Sequence, residues 1–161
     1  MLDEVFPKVK YEDYRRGLCL LDPYGLHLNW EVIQKAGEMK SIEIFLNFPV
    51  ADMNRNVLWK NPEGVSQDDA ARMSSYWGDE SWKDISFSDD LFGNQYKDIT
   101  NKKIADVFKR RIKEKAGFEY VSEPLPMKNS VGAIVYYLFF ASQQPVAAKI
   151  VKEIFEKYSN R

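Results

Sequence analysis

The chain has 161 residues, the length of one ordinary domain, and 45% of them are hydrophobic, which is enough to form a core. Its 23 basic and 24 acidic residues give a net charge of −1, which argues against partners recognised by charge alone, such as bulk nucleic acid or an anionic membrane. The single cysteine excludes an internal disulfide, and the sequence has no metal-ligand spacing and no apolar run long enough for a membrane helix, so we expect a cytoplasmic protein.

The first third of the chain has the pattern of a strand–helix–strand unit. Residues 1–16 are charged and aromatic, and we expect a short helix or linker there. The apolar run Gly17–Leu21 predicts a central strand of the parallel type. Asn29 is a suitable cap for a helix over 30–40, and Ile42–Phe48 predicts a second strand. The short links between these elements predict a right-handed βαβ crossover.

The middle of the chain is predominantly helical. Helices are predicted over 50–59 and 66–77, and 78–93 has a mixed, loop-like composition. A long helix is predicted over 94–115 because its apolar residues recur at close to 3.6-residue spacing. The residues of that stripe are Tyr96, Ile99, Ile104, Val107, Phe108 and Ile112.

The last third of the chain predicts two strands and a helix. The strand over 118–127 contains two prolines, which indicate the edge of a sheet. It is followed closely by a strand over 132–141, so the pair predicts an antiparallel hairpin. A final helix over 145–158 is predicted to bury Val146, Ile150, Val151, Ile154 and Phe155. The whole chain is therefore predicted to be α/β, with a mixed sheet of about four strands covered by helices.

Four short motifs, in this order, give the chain a resemblance to a known family. They are Leu20-Leu21-Asp22-Pro23-Tyr24-Gly25 with Asn29-Trp30, then Leu46-Asn47-Phe48-Pro49, then Tyr76-Trp77-Gly78 with Trp82, and last Tyr136-Tyr137-Leu138-Phe139-Phe140-Ala141-Ser142. In these motifs the chain resembles the C-terminal half of the three-Cys-motif partner family. Members of this family are similar to S-adenosylmethionine-dependent methyltransferases with a Rossmann-like fold, and their genes accompany that of a radical-SAM protein.

The resemblance implies that residues 1–161 form a single partial domain. The family's cofactor-binding features, a Gly-rich turn and an acidic residue, precede the part that this chain resembles, and no Gly-x-Gly pattern occurs in the sequence. We therefore expect the chain to bind no cofactor alone, whereas a full-length relative would bind S-adenosylmethionine. The first strand would be the fourth of the full fold, so its outer edge is expected to recruit a second copy or a complementary N-terminal half. The radical-SAM three-Cys protein is a further possible partner.

The strongest candidate site lies just after the first strand, where ligands bind in open α/β sheets. In amino-methyltransferases a related motif binds the amine to be methylated. By resemblance, Asp22 would accept hydrogen bonds from this amine, and the Tyr24 ring would stack on the target. Pro23 and Gly25 would shape the substrate pocket; this chain has one proline where that motif has two. The alternative is that Asp22-Pro23 only ends a strand and Gly25 only makes a turn.

The second strand ends beside this candidate site. Asn47 and Pro49 are candidate substrate-binding residues because adjacent parallel strands end at the same sheet edge. Arg55 follows in the next helix, where it would bind a phosphate or a carboxylate. The alternative, which we favour, is that Arg55 is a solvated surface arginine. His27 is a candidate base with no evident carboxylate partner, so exposure without a role is the stronger expectation.

Two groups of residues suggest nucleic acid, each with a structural alternative. The first is the positive charge at Lys102, Lys103, Lys109, Arg110, Arg111, Lys113 and Lys115, which would bind phosphates or would form the polar face of an amphipathic helix. The second is Trp77, Trp82, Tyr136 and Tyr137, which would stack on bases or, for at least half of them, pack in the core. Cys19 is expected to be buried and inert.

Two functions follow from these observations. The first is the acceptor-binding C-terminal portion of a methyltransferase-like protein, with catalytic residues Asp22 and Tyr24, inactive without the cofactor-binding half. The second is a non-catalytic interaction module that retains the fold.

Overall fold

The structure is a computed structural model that describes residues 2–59, 62–89 and 95–159. Its seven described strands are β1 (Gly17–Leu21), β2 (Ile42–Phe48), β3 (Phe87–Asp89), β4 (Gln95–Lys97), β5 (Tyr120–Val121), β6 (Leu125–Lys128) and β7 (Ile134–Ser142). Its six described α-helices are α1 (Trp30–Met39), α2 (Val50–Asn56), α3 (Gln67–Trp77), α4 (Trp82–Ser86), α5 (Asn101–Glu114) and α6 (Pro145–Ser159).

Five strands form one mixed sheet. β1 and β2 are parallel, and β2 is antiparallel to β7, which lies between β2 on one side and β5 and β6 on the other. β3 and β4 form a separate two-stranded sheet. The predicted α/β class, the parallel first pair and the antiparallel hairpin of β6 with β7 are confirmed.

The two faces of the main sheet pack against different helices. Phe48 and Phe139 contact Phe108 of α5, at ring-centroid distances of 4.7 and 6.0 Å. Phe45 points to the opposite face, because successive side chains of a strand alternate, and its ring lies 5.9 Å from that of Phe155 in α6. The larger part of the core is on the α5 side, where Trp30, Tyr76 and Trp77 surround Phe108.

The segment before β1 is attached to this core. It contains a single 3₁₀ turn, Phe6–Lys8, whose Phe6 side chain is buried. Ser41 donates a hydrogen bond to the Val9 carbonyl oxygen, and Val9 also packs next to Gly17. This segment was predicted to be a short helix or linker, and it is a short turn within an ordered segment.

Two predicted helix boundaries and one residue of a predicted helix face are wrong. The helix predicted over 50–59 ends at Asn56, because the backbone N–H groups of Val57 and Leu58 both turn back to the Met53 carbonyl. The helix predicted over 94–115 starts later, at Asn101, where the Thr100 side chain accepts the Lys103 N–H. Residue 94 lies outside the described residues, and Tyr96 belongs to β4, where it is exposed.

Two segments with mixed composition contain more structure than predicted. The region 78–93 contains the short helix α4 and strand β3, and residues 90–93 lie outside the described part. The single strand predicted over 118–127 is two strands, β5 and β6, because the register with β7 is interrupted between Val121 and Leu125. Both pair with β7 at the end of the sheet, so the predicted edge position is confirmed.

The buried face predicted for α6 is wrong. Val146, Ile150 and Ile154 are exposed, Val151 is half-buried, and of these five predicted residues only Phe155 is buried. α6 packs mainly on β5, β6 and β7, and it reaches β2 through the contact of Phe155 with Phe45. None of the described helices is long and apolar enough to cross a membrane.

Candidate functional site

The carboxyl ends of β1 and β2 bring two predicted site residues together. Asp22 is the first residue after β1, and Asn47 is the penultimate residue of β2. The Asn47 side-chain amide Nδ2 donates a hydrogen bond to Asp22 Oδ1 at 2.7 Å. The prediction that these two side chains lie side by side at one sheet edge is therefore confirmed, and the reason is the parallel pairing of the strands before them.

The turn after Asp22 requires a glycine. Gly25 has φ = +56°, a left-handed backbone conformation that other residues rarely adopt. A Cβ atom on Gly25 would lie 3.8 Å from Oδ2 of Asp52, so the turn packs directly against α2. Asp52 was absent from the predicted site. Its position three residues after Pro49, in the first turn of α2, is the sequence signal that would have identified it.

Pro49 and Arg55 have mainly structural contacts. Pro49 is buried, and its carbonyl oxygen accepts the backbone N–H groups of Asp52 and Met53, each at 3.1 Å, which starts α2. Arg55 is exposed, and its Nη1 lies 3.2 Å from Asp52 Oδ1. The guanidinium is therefore next to the site through Asp52, while an exposed pair of this kind contributes little to stability.

Tyr24 and His27 form the outer rim of the site. The Tyr24 side chain is 90% exposed. Its ring lies 6.3 Å from the imidazole ring of His27, with only 24° between the two planes. Pro23 between Asp22 and Tyr24 is half-buried. The rim thus presents an aromatic surface to solvent, on the turn that follows Asp22 and packs against Asp52.

One polar atom of the site is buried without a partner. Oδ1 of Asn47 has no hydrogen-bond partner among the described residues, although the atom is inaccessible to solvent. A buried acceptor that is left unpaired costs free energy. The accessible acceptors of the site are the carboxylates of Asp22 and Asp52, and they favour a ligand that donates hydrogen bonds.

A second polar cluster, which the sequence did not indicate, lies on the far side of α2. Asn54 donates a hydrogen bond to Asn101 Oδ1 at 2.8 Å and accepts one from the Lys97 ammonium at 2.5 Å. Burial lowers the pKa of Lys97. These contacts attach α2 to the start of α5 and to β4, so they fix the helix that carries Asp52.

The basic residues of the proposed phosphate-binding face on α5 lie in different environments. Arg111 is buried, where its guanidinium binds the Trp77 carbonyl and the Asp79 carboxylate. Lys102 pairs with Asp106 at 2.7 Å, and Lys109 pairs with Glu123. Arg111 is therefore wrong as a nucleic-acid contact, because it is part of the core.

The candidate base-stacking residues are mainly core residues. Trp77 and Trp82 are buried, and their indole N–H groups bind Ser81 and Ser74 respectively. Tyr137 is also buried, which confirms the structural alternative for at least half of the four rings. Tyr136 is half-buried. Cys19 is half-buried, less than expected, and burial raises the pKa of its thiol.

The described residues do not fit S-adenosylmethionine as a ligand of this chain alone. Asp22 directly follows β1, and the one glycine of the turn after it, Gly25, already packs against Asp52 of α2. No cluster of three or more His, Cys, Asp or Glu side chains within the described ranges is placed to hold a metal ion.

Three grooves of the described surface lie away from the site. The one of about 730 Å³ lies between α5, α6 and the segment 119–126, and two smaller ones of about 430 and 510 Å³ border α5. None of these three is lined by Asp22, Tyr24, Asn47 or Arg55. No family model, no curated protein and no solved structure matches this chain.

Proposed function

We propose that this chain is the acceptor-binding portion of an S-adenosylmethionine-dependent methyltransferase-like protein, and that the cofactor pocket is provided by a half outside the part described above. The observation that carries the proposal is the hydrogen bond between Asn47 and Asp22 at the carboxyl ends of two adjacent parallel strands. Ligands of open α/β sheets bind at this position. Membership of the three-Cys-motif partner family, which the chain resembles in its sequence motifs, is part of this proposal.

The order of the strands supports this proposal. A parallel pair followed by an antiparallel pair is what the resemblance to the second half of a Rossmann-like methyltransferase implies, and β1, β2, β7 and β6 follow it. Fold alone does not identify a function, so the weight rests on the site.

The chemistry of the site suits a planar amine. The Asp22 carboxylate is held by Asn47 and accepts hydrogen bonds, and the exposed Tyr24 ring offers a face for stacking. In this proposal Asp22 binds and orients the amino group, Tyr24 stacks on the ring that carries it, and Pro23, Gly25 and Pro49 fix the two turns. Arg55 acts only through its pair with Asp52.

A non-catalytic interaction module is the second candidate. The exposed apolar side chains favour this candidate. Tyr24 is exposed, and Leu18 and Leu20 of β1 are 56% and 70% exposed. Exposed apolar side chains in a row are typical of surfaces that bind other proteins. In this candidate the Asp22–Asn47 hydrogen bond only fixes the ends of two strands.

The two candidates differ in their binding of small amines. Adenosine and inosine are a matched pair, because the exocyclic amino group of one is a carbonyl group in the other. We expect adenosine at millimolar concentration to shift the NMR amide signals of Asp22, Tyr24 and Asn47, and inosine to shift them several-fold less. Asp22→Ala should abolish that difference, whereas Asp84→Ala, at an exposed carboxylate in α4, should leave it unchanged. Equal shifts with both nucleosides would reject the amine-binding proposal and favour the interaction module.

A further inference from the structure

The outer edge of β1 presents unpaired backbone groups. β1 is hydrogen-bonded to β2 alone among the described strands. The backbone N–H of Gly17 points towards β2, because it donates to the Ser41 carbonyl oxygen at 3.0 Å. Backbone groups of a strand alternate in direction with a period of two residues. The N–H and C=O groups of Leu18 and Leu20 therefore point outwards, to the free edge.

The side chains beside these groups are apolar and exposed. Leu18 and Leu20 lie next to Glu43 and Phe45 in the parallel register, so they are on the sheet face that α6 covers. Phe155 of α6 reaches Phe45 of β2, but α6 packs mainly on β5, β6 and β7, on the side of the sheet away from β1, and both leucines are exposed. An edge strand with unpaired backbone groups and apolar side chains pairs readily with another strand.

The sequence around β1 is self-complementary when it is read against itself in the antiparallel direction. From Arg16 to Asp22 it runs Arg-Gly-Leu-Cys-Leu-Leu-Asp, with Cys19 at its centre. We propose that the edge of β1 is closed by β1 of a second copy of this chain, antiparallel, with a two-fold axis at Cys19. Leu18 then lies opposite Leu20 of the second copy, and Arg16 lies opposite its Asp22.

This register agrees with the direction of the backbone groups. Opposite residues that both point outwards exchange two hydrogen bonds, so the two Leu18–Leu20 pairs supply four. All four leucines lie on one face of the joined sheet, because opposite residues of an antiparallel pair project to the same side. Cys19 faces its own copy in a non-hydrogen-bonded pair, where Cα atoms are about 4.5 Å apart.

Neighbouring symmetric registers are less favourable. An axis at Leu18 would set Leu20 opposite Arg16 of the second copy, and an axis at Leu20 would set Leu18 opposite Asp22. Both place an apolar side chain against a charge, whereas the axis at Cys19 pairs leucine with leucine and the basic Arg16 with the acidic Asp22. Arg16 and Asp22 are both exposed.

The dimer shares Asp22 and the outer edge of β1 with the proposed function, but its tests measure the oligomeric state and not amine binding, so the two proposals can fail separately. The first measurement is light scattering on the full chain over a range of concentrations. We expect a mass of twice 18.8 kDa at high concentration. Leu20→Asp should shift the dissociation constant at least tenfold, while Val131→Asp, at an exposed valine in the β6–β7 turn, should not. A monomer at all concentrations, with a native circular dichroism spectrum, would overturn the proposal.

The second measurement tests the register. The chain has one cysteine, so a disulfide between two copies can only join Cys19 to Cys19. With diamide as the oxidant, two thiols lose their hydrogens to the reagent and form one disulfide. Only a register centred at Cys19 brings the two Cα atoms within the range of about 4.4–6.8 Å that a disulfide requires, because a shift of the axis to Leu18 or Leu20 separates them to about 7–8 Å. Rapid covalent dimer formation is expected, and a dimer that resists oxidation would overturn the register.

A charge-reversal pair tests the predicted contact between copies. Arg16→Glu and Asp22→Lys should each weaken the dimer about two- to tenfold, because each places like charges opposite one another twice. The double variant restores opposite charges across the axis, so its dissociation constant should return towards that of the natural chain. A double variant weaker than both single variants would show that Arg16 and Asp22 do not meet.

Discussion

Arg111 of α5 donates two hydrogen bonds to the backbone carbonyl oxygen of Trp77, from Nε at 3.1 Å and from Nη2 at 2.8 Å. Trp77 is the last residue of α3, so its carbonyl has no partner within the helix. The same guanidinium binds Asp79 at 2.8 Å and lies 5.3 and 5.2 Å from the centres of the Trp30 and Trp77 rings. One side chain therefore joins α1, α3 and α5.

Replacing Arg111 by lysine should destabilise the protein although the charge is kept. Lysine lacks the planar fork that reaches the Trp77 carbonyl and Asp79 together, and a buried carbonyl left unpaired costs about 1–3 kcal/mol. Urea denaturation followed by circular dichroism measures the free energy of unfolding. Arg110→Lys, at the exposed neighbour, is the matched control and should change it by less than about 0.5 kcal/mol. Equal effects of the two substitutions would contradict the role given to Arg111.

The Asp79 carboxyl should make stability depend on pH in the acid range. Burial raises its pKa, but hydrogen bonds from Ser81 and Arg111 outweigh burial and the pKa lies below its ordinary value. A carboxyl with a lower pKa in the folded state stabilises the fold above its unfolded pKa, about 3.9, and this contribution is lost as the pH falls below that value. Asp79→Asn should therefore flatten the loss of stability that occurs below about pH 4. Urea titrations at several pH values measure that slope, and an unchanged slope would contradict the prediction.

Removing the hydroxyl of Tyr76 should not cost stability. Its oxygen is buried and has no hydrogen-bond partner among the described residues, and burial raises the pKa of Tyr76 well above its usual value. Tyr76→Phe keeps the ring against Phe48 and Phe108 and removes the unpaired group, so we expect a gain of about 1–2 kcal/mol. Thermal unfolding measures it, with Tyr96→Phe at an exposed tyrosine as the control. A loss above about 1 kcal/mol would mean that the hydroxyl binds an ordered water molecule.

Asn47→Asp should place two carboxylates where an amide and a carboxylate now share a hydrogen bond. Their repulsion raises the pKa of the pair in the folded state, so the variant should be less stable at pH 7 by about 1 kcal/mol and should recover as the pH falls towards 4. Exchanging the two residues, in the double variant Asp22→Asn and Asn47→Asp, restores the hydrogen bond. Denaturation at both pH values tests this, and no recovery in the double variant would show that the two side chains do not interact.

The sequence predicted the elements whose pattern is local. The apolar run of β1 and the alternation in β2 identify strands without reference to the rest of the chain, and the adjacent ends of those strands then locate Asp22 and Asn47. The faces of α5 and α6 were harder to predict, because burial depends on the length of the neighbouring sheet. Arg111 has the sequence pattern of a surface residue, and Ile150 has that of a core residue. Asp52 was missed because its place beside Gly25 results from the turn at Pro49.

The position of β7 has a consequence for how the protein forms. β7 is the last strand in the chain, yet it is hydrogen-bonded to β2, β5 and β6, which are not joined to one another. During synthesis, β2, β5 and β6 have no shared neighbour until residue 142 has left the ribosome. The chain between β2 and β7 must then close as one long loop, and contacts between residues far apart in the sequence form slowly. We therefore expect nascent chains that end before β7 to be bound by chaperones, and release to coincide with the appearance of the final helix.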